Sequence, residues 1–346
     1  MDIEAARRGD EETLESGLSD PGSEVIRLFR TLDGDVILLG INGKMGLSLG
    51  RMAKRAAEAA GVPRRIIGVS RFTDPAGRAQ LQDWGIETLS CDLTDAEAVA
   101  RLPKVKNVIY MVGRKFGTEG GQDLTWAMNT LAAGYAGSHF RGSRIVAFST
   151  GCVYPHADVA EGGCTEKTEP APIGEYANSC LGRERLFAYA ARQFGTQVLL
   201  YRLNYAVDLR YGVLHDIAMR VWREEPVDNS VGFFNVIWQG DANRYALRSL
   251  ELTEAPPAVL NVTGPEMGSV EETARRFGLQ MGRQVSFTRP VSGTRGFLSD
   301  ASKAFERFGR PSVTLDQLIE WQAAWVMSGG RQLNKATGYQ VTNGSY

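Results

Sequence analysis

The feature that most constrains the fold is a regular alternation of short apolar runs with helix-length segments, which begins at Asp35. Turn residues bound each apolar run, and the segment that follows is long enough for a crossover connection. We therefore expect parallel strands that are buried on both faces, as in a doubly wound α/β sheet. The predicted strands are residues 36–40, 65–70, 87–91, 107–112, 144–149 and 197–201, and the predicted helices are 45–60, 76–84, 96–102, 123–139 and 175–194.

After residue 203 the alternation loosens, and Gly and Pro recur between the predicted elements. This irregularity predicts a smaller C-terminal α/β lobe that closes over the sheet and forms a cleft for a substrate. Helices are expected near 216–225, 241–252, 269–281 and 314–327, and strands near 233–237 and 259–262.

The first 24 residues carry eight acidic side chains against two arginines. This pattern predicts two short helices in a solvated extension, and a contact between copies of the chain is the alternative. The expected organisation is an N-terminal helical extension (1–33), a doubly wound domain (34–203), a lobe that is mainly substrate-binding and is allowed returns to the first domain (204–330), and a C-terminal tail (331–346).

The charge of the chain is balanced, with 39 basic and 40 acidic residues, so we expect no binding to nucleic acid or to an anionic membrane. The longest apolar runs fall short of the roughly 20 residues that a membrane-spanning helix needs. Residues 1–15 lack the pattern of a secretory signal, and the four cysteines have no metal-binding spacing. We expect a cytoplasmic protein with free thiols, no metal site and a small molecule as its partner.

A glycine-rich turn follows the first predicted strand and opens a long predicted helix. Glycines at such a place allow a tight turn, a close backbone approach to a pyrophosphate and close packing of helix on strand. The amides at the start of the helix are donors for phosphate oxygens. The placement favours a Rossmann-type dinucleotide site over a simple tight turn, and the predicted contacts are Gly40, Asn42, Gly43, Lys44, Met45 and Gly46.

The end of the second strand bears on which dinucleotide binds. An NAD site usually has an acidic residue there for the ribose hydroxyls, whereas this strand ends in Ser70 and Arg71. Both side chains suit a 2′-phosphate, so NADP is favoured over NAD. Two alternatives stay open: Arg71 faces solvent, or Asp74 supports an NAD site. After the third strand, Asp92 is a candidate contact for adenine.

Further motifs occur in order along residues 35–328. They include Asp92-Leu93, Asn129, FSTGCVY at 148–154, YANSC at 176–180, RLNY at 202–205, NVTG at 261–264 and DASKA at 300–304. Together with the glycine turn, they resemble the extended short-chain dehydrogenase/reductase family, which includes nucleotide-sugar epimerases and dehydratases. The resemblance implies a two-lobed enzyme with a Rossmann-type sheet that binds NAD or NADP, and it adds as cofactor contacts Leu93, Val112, Gly113, Asn129 and Asn204.

The resemblance also implies a catalytic pair. In the family, the residue at the position of Thr150 hydrogen-bonds the reacting oxygen, and the tyrosine at the position of Tyr176 moves the proton. A lysine four residues later lowers the pKa of that tyrosine and binds the nicotinamide ribose, but this sequence has Cys180 there. An ordinary tyrosine, with a pKa of about 10, is only about 0.1% ionised at pH 7, so Tyr176 is expected to be a poor base. It is still able to donate a proton to a carbonyl oxygen.

The missing lysine leaves three classes of function open. An NAD(P)-dependent oxidoreductase or epimerase/dehydratase that acts through Thr150 and Tyr176 is favoured, because a pure binding protein has no chemical need for that pair. The alternatives are a cofactor-binding pseudoenzyme or sensor, and an isomerase that uses the dinucleotide without redox chemistry. Lys115, in the loop after the fourth strand, is a candidate replacement for the lysine, and the neighbouring Arg114 is the alternative.

Substrate contacts are less defined by the sequence. Arg114, Arg289 and Arg295 suit a phosphate or carboxylate, with solvation at the surface as the alternative, and His215 is a candidate acid or base. The resemblance implies a sugar, a nucleotide sugar or another small carbonyl compound as substrate. It also implies a homodimer formed through the helices at 123–139 and 175–194.

Overall fold

In the computed structural model, which describes residues 1–335 and 337–346, the alternating apolar runs form strands. The strands are β1 (Val36–Leu39), β2 (Ile66–Ser70), β3 (Glu87–Ser90), β4 (Asn107–Tyr110), β5 (Arg144–Thr150), β6 (Ala157–Asp158), β7 (Gln197–Leu203), β8 (Ala206–Val207), β9 (Phe233–Phe234), β10 (Ile237–Trp238), β11 (Ala258–Val262), β12 (Gly268–Ser269) and β13 (Arg295–Gly296).

The helices before the middle of the chain are α1 (Ile3–Arg8), α2 (Glu11–Leu18), α3 (Gly22–Thr31), α4 (Gly46–Ala60), α5 (Pro75–Asp83), α6 (Ala96–Ala100), α7 (Gln122–Trp126) and α8 (Ala132–His139), with a π-helical turn (Ala127–Leu131) between α7 and α8. The later helices are α9 (Gly174–Phe194), α10 (Val213–Trp222), α11 (Gln239–Arg248), α12 (Val270–Met281), α13 (Ser302–Phe308) and α14 (Leu315–Met327).

The main sheet of the described residues has the order β11-β7-β5-β4-β1-β2-β3, and each neighbouring pair is parallel. Successive residues of β1 enter different cores: Val36 and Leu38 pack with α3, α4 and α11, whereas Ile37 and Leu39 pack with α8 and α9. This alternation follows from the two-residue period of a strand. The predicted Rossmann-type, doubly wound sheet is therefore confirmed.

The last strand of this sheet comes from the C-terminal half of the chain. The segment predicted as a strand near 259–262 forms β11, which pairs in parallel with β7 at the edge of the main sheet. The C-terminal half thus returns to the first domain, and its lobe consists mainly of α10, α12 and α14 around a separate apolar core. The domain boundaries themselves stay a prediction.

The expectation of a solvated N-terminal extension was wrong. The described residues 1–33 form three helices rather than two, and each helix has a buried apolar side. Leu14 and Leu18 belong to the core of the C-terminal lobe, while Val25 and Phe29 pack against the sheet. The acidic residues occupy the opposite side of short amphipathic helices, so their number concealed an apolar side that the rest of the chain covers.

Other expectations concern the surface. No helix among the described residues combines the length and apolar character needed to cross a membrane. The four cysteines are all buried and form no disulfide within the described part of the chain. Apolar side chains are partly exposed along the helices from 122 to 139, at Leu124, Trp126 and Leu131. The homodimer expected through this surface stays a prediction.

Candidate active site

The carboxyl ends of β1, β4, β5 and β7 open onto one crevice, which is where parallel α/β sheets usually bind ligands. The crevice has two halves with cavity volumes of about 330 Å³ and about 310 Å³. We call them the Tyr176 half and the Arg71 half, after a side chain that lines only one of them. The two halves share Gly40, Gly43, Met111, Val112 and Gly113.

The glycine-rich turn forms the floor of the crevice. Gly40 has a φ of 88°, and a Cβ there would lie 3.1 Å from the backbone nitrogen of Val112, so the turn requires glycine. A Cβ on Gly46 would lie 2.0 Å from the carbonyl oxygen of Ile41, which explains the close packing of α4. The turn thus exposes backbone without overlying side chains at the start of a helix. This cradle fits the pyrophosphate of a dinucleotide.

Most of the side chains predicted to bind cofactor line one half or the other. The Tyr176 half includes Gly40, Gly43, Lys44, Met45, Gly46, Val112 and Gly113. The Arg71 half includes Asn42, Ser70, Arg71, Asp92 and Leu93.

The acidic groups near the Arg71 half have local partners. The Asp74 carboxylate accepts a hydrogen bond from the amide of Ala76 at 3.0 Å and caps α5. Asp92 accepts from the hydroxyl and the amide of Thr94, and these two bonds hold the pKa of Asp92 below its usual value. The end of β2 therefore presents Ser70 and Arg71 to the crevice.

Thr150 and Tyr176 line the same half of the crevice. Thr150 ends β5, and its Oγ1 accepts a hydrogen bond from the amide of Cys152 at 3.1 Å. Tyr176 lies in the first turn of α9. Burial, followed by the nearby thiols of Cys180 and Cys152, raises the pKa of Tyr176 well above its usual value, while Arg183 opposes the rise. The phenol is therefore protonated at neutral pH.

Cys180 occupies the position of the expected lysine and is completely buried. It packs in an apolar cluster with Val153 and Leu298. Burial raises the pKa of Cys180, so its thiol is neutral at pH 7 and supplies no charge to the crevice.

A buried cation lies one helical turn beyond Cys180. The Arg183 guanidinium donates from Nε to the Asn129 carbonyl oxygen at 3.1 Å, from Nη2 to Asn129 Oδ1 at 3.0 Å, and from Nη1 to the Phe148 carbonyl oxygen at 2.8 Å. It also lines the Tyr176 half, where a Cβ on Gly113 would lie 2.9 Å from Nη2. The guanidinium is close enough to Tyr176 for its positive charge to lower the pKa of that phenol.

Two of the predicted cofactor contacts support the crevice walls instead of lining them. Asn129, in the π-helical turn, holds the loop after β4: its Oδ1 accepts from the Arg114 amide at 2.7 Å, and its Nδ2 donates to Ser179 Oγ at 2.8 Å. Asn204 Nδ2 donates to Asn235 Oδ1 and to a backbone carbonyl of the C-terminal lobe, both at 2.8 Å. Both side chains are buried and connect separate segments of the chain.

Two lysines reach the Tyr176 half from different segments. Lys115 Nζ donates to the Thr337 carbonyl oxygen at 2.8 Å and lies 5.9 Å from the ring centroid of Tyr176. Lys44, in the glycine turn, places its Nζ 3.2 Å from the ring centroid of Tyr211. The sequence predicted Lys44 as a cofactor contact and Lys115 as a substitute cation, and the fold brings the two side chains to one wall.

The tail of the chain closes this wall, which the sequence did not predict. Thr337 lines the Tyr176 half, and the ring of Tyr346 meets the ring of Tyr176 edge-on with 5.7 Å between centroids. The tail also inserts Gly344 against Gly174 at the start of α9, where a Cβ on Gly174 would lie 2.5 Å from the Gly344 carbonyl oxygen. No local pattern in this polar segment signals such a distant contact.

The four side chains proposed to contact substrate lie outside the Tyr176 half. Arg114 donates to the carbonyl oxygens of Phe116 and Gly117 within its own loop. His215 is buried, its Nδ1 lies 3.1 Å from the Leu209 carbonyl oxygen, and it lines a different cavity. Arg289 and Arg295 are exposed and line neither half of the crevice, and Arg295 belongs to β13, which pairs with β6.

With this geometry in place, comparison with known proteins defines the class. Residues 36–207 match the model of the NAD dependent epimerase/dehydratase family, and this part of the chain belongs to that enzyme family. The resemblance to the extended short-chain dehydrogenase/reductase class is therefore confirmed. No curated protein matches the chain in sequence at a significant level.

Solved structures share the fold at low sequence identity. UDP-glucose 4-epimerase from Thermotoga maritima is 16% identical, with a TM-score of 0.70, and the match covers 85% of this chain and 99% of that chain. dTDP-glucose 4,6-dehydratase from Bacillus anthracis, in complex with NAD, is 14% identical with a TM-score of 0.70, and the match covers 84% of this chain and 96% of that chain. UDP-glucuronic acid 4-epimerase from Bacillus cereus, in complex with NAD, is 16% identical with a TM-score of 0.67, and the match covers 84% of this chain and 98% of that chain.

Proposed function

We propose that the protein interconverts a hydroxyl and a carbonyl group on a sugar-like substrate in an NAD(P)-dependent reaction of the epimerase/dehydratase kind. The observation that carries this proposal is that Thr150, Tyr176 and Arg183 line one cavity, which is continuous with the glycine cradle. A nicotinamide ring supplies or accepts the hydride when the dinucleotide is bound.

The two side chains have complementary roles in this proposal. The Thr150 hydroxyl donates a hydrogen bond to the reacting oxygen of the substrate and holds it in place. Tyr176, protonated because burial raises its pKa, donates the proton to a carbonyl oxygen as the carbonyl is reduced. In the opposite direction Tyr176 must first lose its proton, which a nearby positive charge favours.

Arg183 supplies that charge in our proposal. It is the arginine whose positive charge lowers the pKa of Tyr176, against the effect of burial. Its Nη2 lies under Gly113, at the meeting point of the two crevice halves, where it suits a hydroxyl of the nicotinamide ribose. In this proposal Arg183 both lowers the pKa of Tyr176 and binds the nicotinamide ribose, which are the two roles of the absent lysine. It does so from a position three residues later in α9.

Replacing Tyr176 by Phe removes the proton donor with little change in shape. We expect the turnover rate to fall by about 10²- to 10⁴-fold, the usual range for a general acid, while the affinity for the dinucleotide changes little. Tyr189→Phe, at an exposed position of the same helix, is the matched control and should retain full activity. The turnover rate is followed by the absorbance of the reduced nicotinamide. A normal rate for Tyr176→Phe would refute the role assigned to Tyr176.

Arg183→Met and Cys180→Lys test where the charge resides. Loss of the guanidinium should raise the pKa of Tyr176, so the pH profile of substrate oxidation moves to higher pH by about one unit or more. Arg183→Lys should shift the profile less, and the double variant Cys180→Lys/Arg183→Met should return it towards the original. If Arg183→Met lowers activity and thermal stability but leaves the pH profile unchanged, Arg183 acts only through packing.

We further propose that NADP is preferred over NAD, because the end of β2 presents Ser70 and Arg71 to the crevice while Asp74 caps α5. Arg71→Ala should weaken NADP binding by about tenfold or more and leave NAD binding unchanged, since a charge-assisted hydrogen bond is worth about 1.5–3 kcal/mol. Arg101→Ala, at an exposed site after α6, is the control. Tighter binding of NAD than of NADP in calorimetric titrations of the unaltered protein would contradict this preference.

A further inference from the structure

Lys44 and Lys115 present two positive charges on one wall of the Tyr176 half. Lys44 is exposed and Lys115 is half-buried, and neither ammonium group forms a salt bridge with a carboxylate of the described residues. Lys44 Nζ lies over the ring of Tyr211, and Lys115 Nζ lies 4.3 Å from the ring centroid of Tyr346 while it donates to the neutral Thr337 carbonyl. Aromatic faces stabilise such cations only in part.

The proximity of the two ammonium groups has an electrostatic cost. Burial, followed by repulsion from Lys115 and Lys335, lowers the pKa of Lys44 to about 7. The charges of Asp216 and Asp208 oppose this change only in part, and Asp216 already accepts two hydrogen bonds from Thr337. Burial likewise lowers the pKa of Lys115. Like charges that repel each other are stabilised when an anion binds between them.

The position of the lysines indicates that this anion belongs to the substrate. Both line the Tyr176 half, whereas Asn42, Ser70 and Arg71 line the other half. The backbone cradle shared by the halves is the part that fits the pyrophosphate of a dinucleotide. The lysine wall instead adjoins Thr150 and Tyr176, the groups assigned to the reacting oxygen.

We propose that Lys44 and Lys115 form an anion subsite and that the substrate is a small sugar acid or sugar phosphate, with its carboxylate or phosphate close to the reacting carbon. This inference rests on the proposed function. The tail helps to close the same wall through Thr337, and the exposed Arg289 and Arg295, the arginines considered for a nucleotide diphosphate, do not line this cavity. The anion subsite therefore favours a compact substrate over a nucleotide sugar.

The test is calorimetric titration of the NADP-loaded protein with matched probes: D-glucuronate, D-gluconate, D-glucose 6-phosphate, D-glucose and UDP-glucose. We expect at least one of the three compact anions to bind about tenfold or more tightly than D-glucose and more tightly than UDP-glucose, because charge-assisted hydrogen bonds to two lysines add to its affinity. A comparison of the two carboxylates with the phosphate shows which kind of anion the subsite prefers. Tighter binding of the anion below pH 7 than at pH 9 is also expected, because Lys44 loses its charge over this range.

Lys44→Met and Lys115→Met should each weaken binding of the anion about tenfold. Because Lys44 belongs to the glycine cradle, NADP affinity is compared in Lys115→Met, which should bind NADP as before. Lys167→Met, at an exposed site, is the control and should change neither affinity. The subsite is refuted if the panel shows no preference for compact anions, including the case in which no probe binds, or if Lys115→Met loses NADP instead of the anion. Binding of NADP and NAD by the unaltered protein is measured separately. Failure to bind any nicotinamide dinucleotide would refute the proposed function itself.

Discussion

The relative position of Thr150 and Tyr176 depends on a buried ion pair between Glu184 of α9 and Arg202 of β7. Arg202 donates from Nε and Nη2 to the two carboxylate oxygens at 2.9 Å and 2.6 Å, and both side chains are almost fully buried. Two further bonds join the pair to its surroundings: Ser149 donates to Glu184, and Arg202 Nη1 donates to the Tyr154 hydroxyl at 2.7 Å. A buried pair repays its desolvation only when such additional hydrogen bonds are present.

This network connects the elements that carry the candidate catalytic groups. Ser149 precedes Thr150 in β5, and Glu184 lies two helical turns beyond Tyr176 in α9. The Tyr154 hydroxyl in turn donates to Asn261 Oδ1 in β11, at the edge of the sheet. Loss of one member would leave a buried charge without a partner, at a cost of about 3–5 kcal/mol. The site is thus held by the same interactions that attach α9 to the sheet.

Local sequence patterns predicted the elements whose causes are local. The apolar strands, the crossover helices and the glycine turn were predicted because period, turn residues and backbone sterics act within a few positions. The apolar sides of α2 and α3 were missed because each short helix carries only a few apolar residues among charged and polar ones. Contacts of the tail were missed because they join distant positions, such as Thr337 and Lys115, which are 222 residues apart.

The candidate site likewise contains residues that the sequence predicted and residues that it did not. Thr150 and Tyr176 were proposed from motifs, and the structure brings both to one cavity. The role proposed for Arg183 was missed because a family motif directs attention to position 180, and an arginine on a helix resembles a solvated residue until its burial is known. The fold brings together a cation and a phenol that lie two helical turns apart, and only the three-dimensional arrangement reveals it.

We propose that a dinucleotide binds across the glycine cradle with its nicotinamide end beside Arg183 and Tyr176. A crystal structure of the protein with NADPH tests it directly. We expect the nicotinamide ribose within hydrogen-bonding distance of Arg183 and the ring facing Thr150 and Tyr176. A dinucleotide bound elsewhere, or bound with its nicotinamide end directed away from Tyr176, would contradict the account.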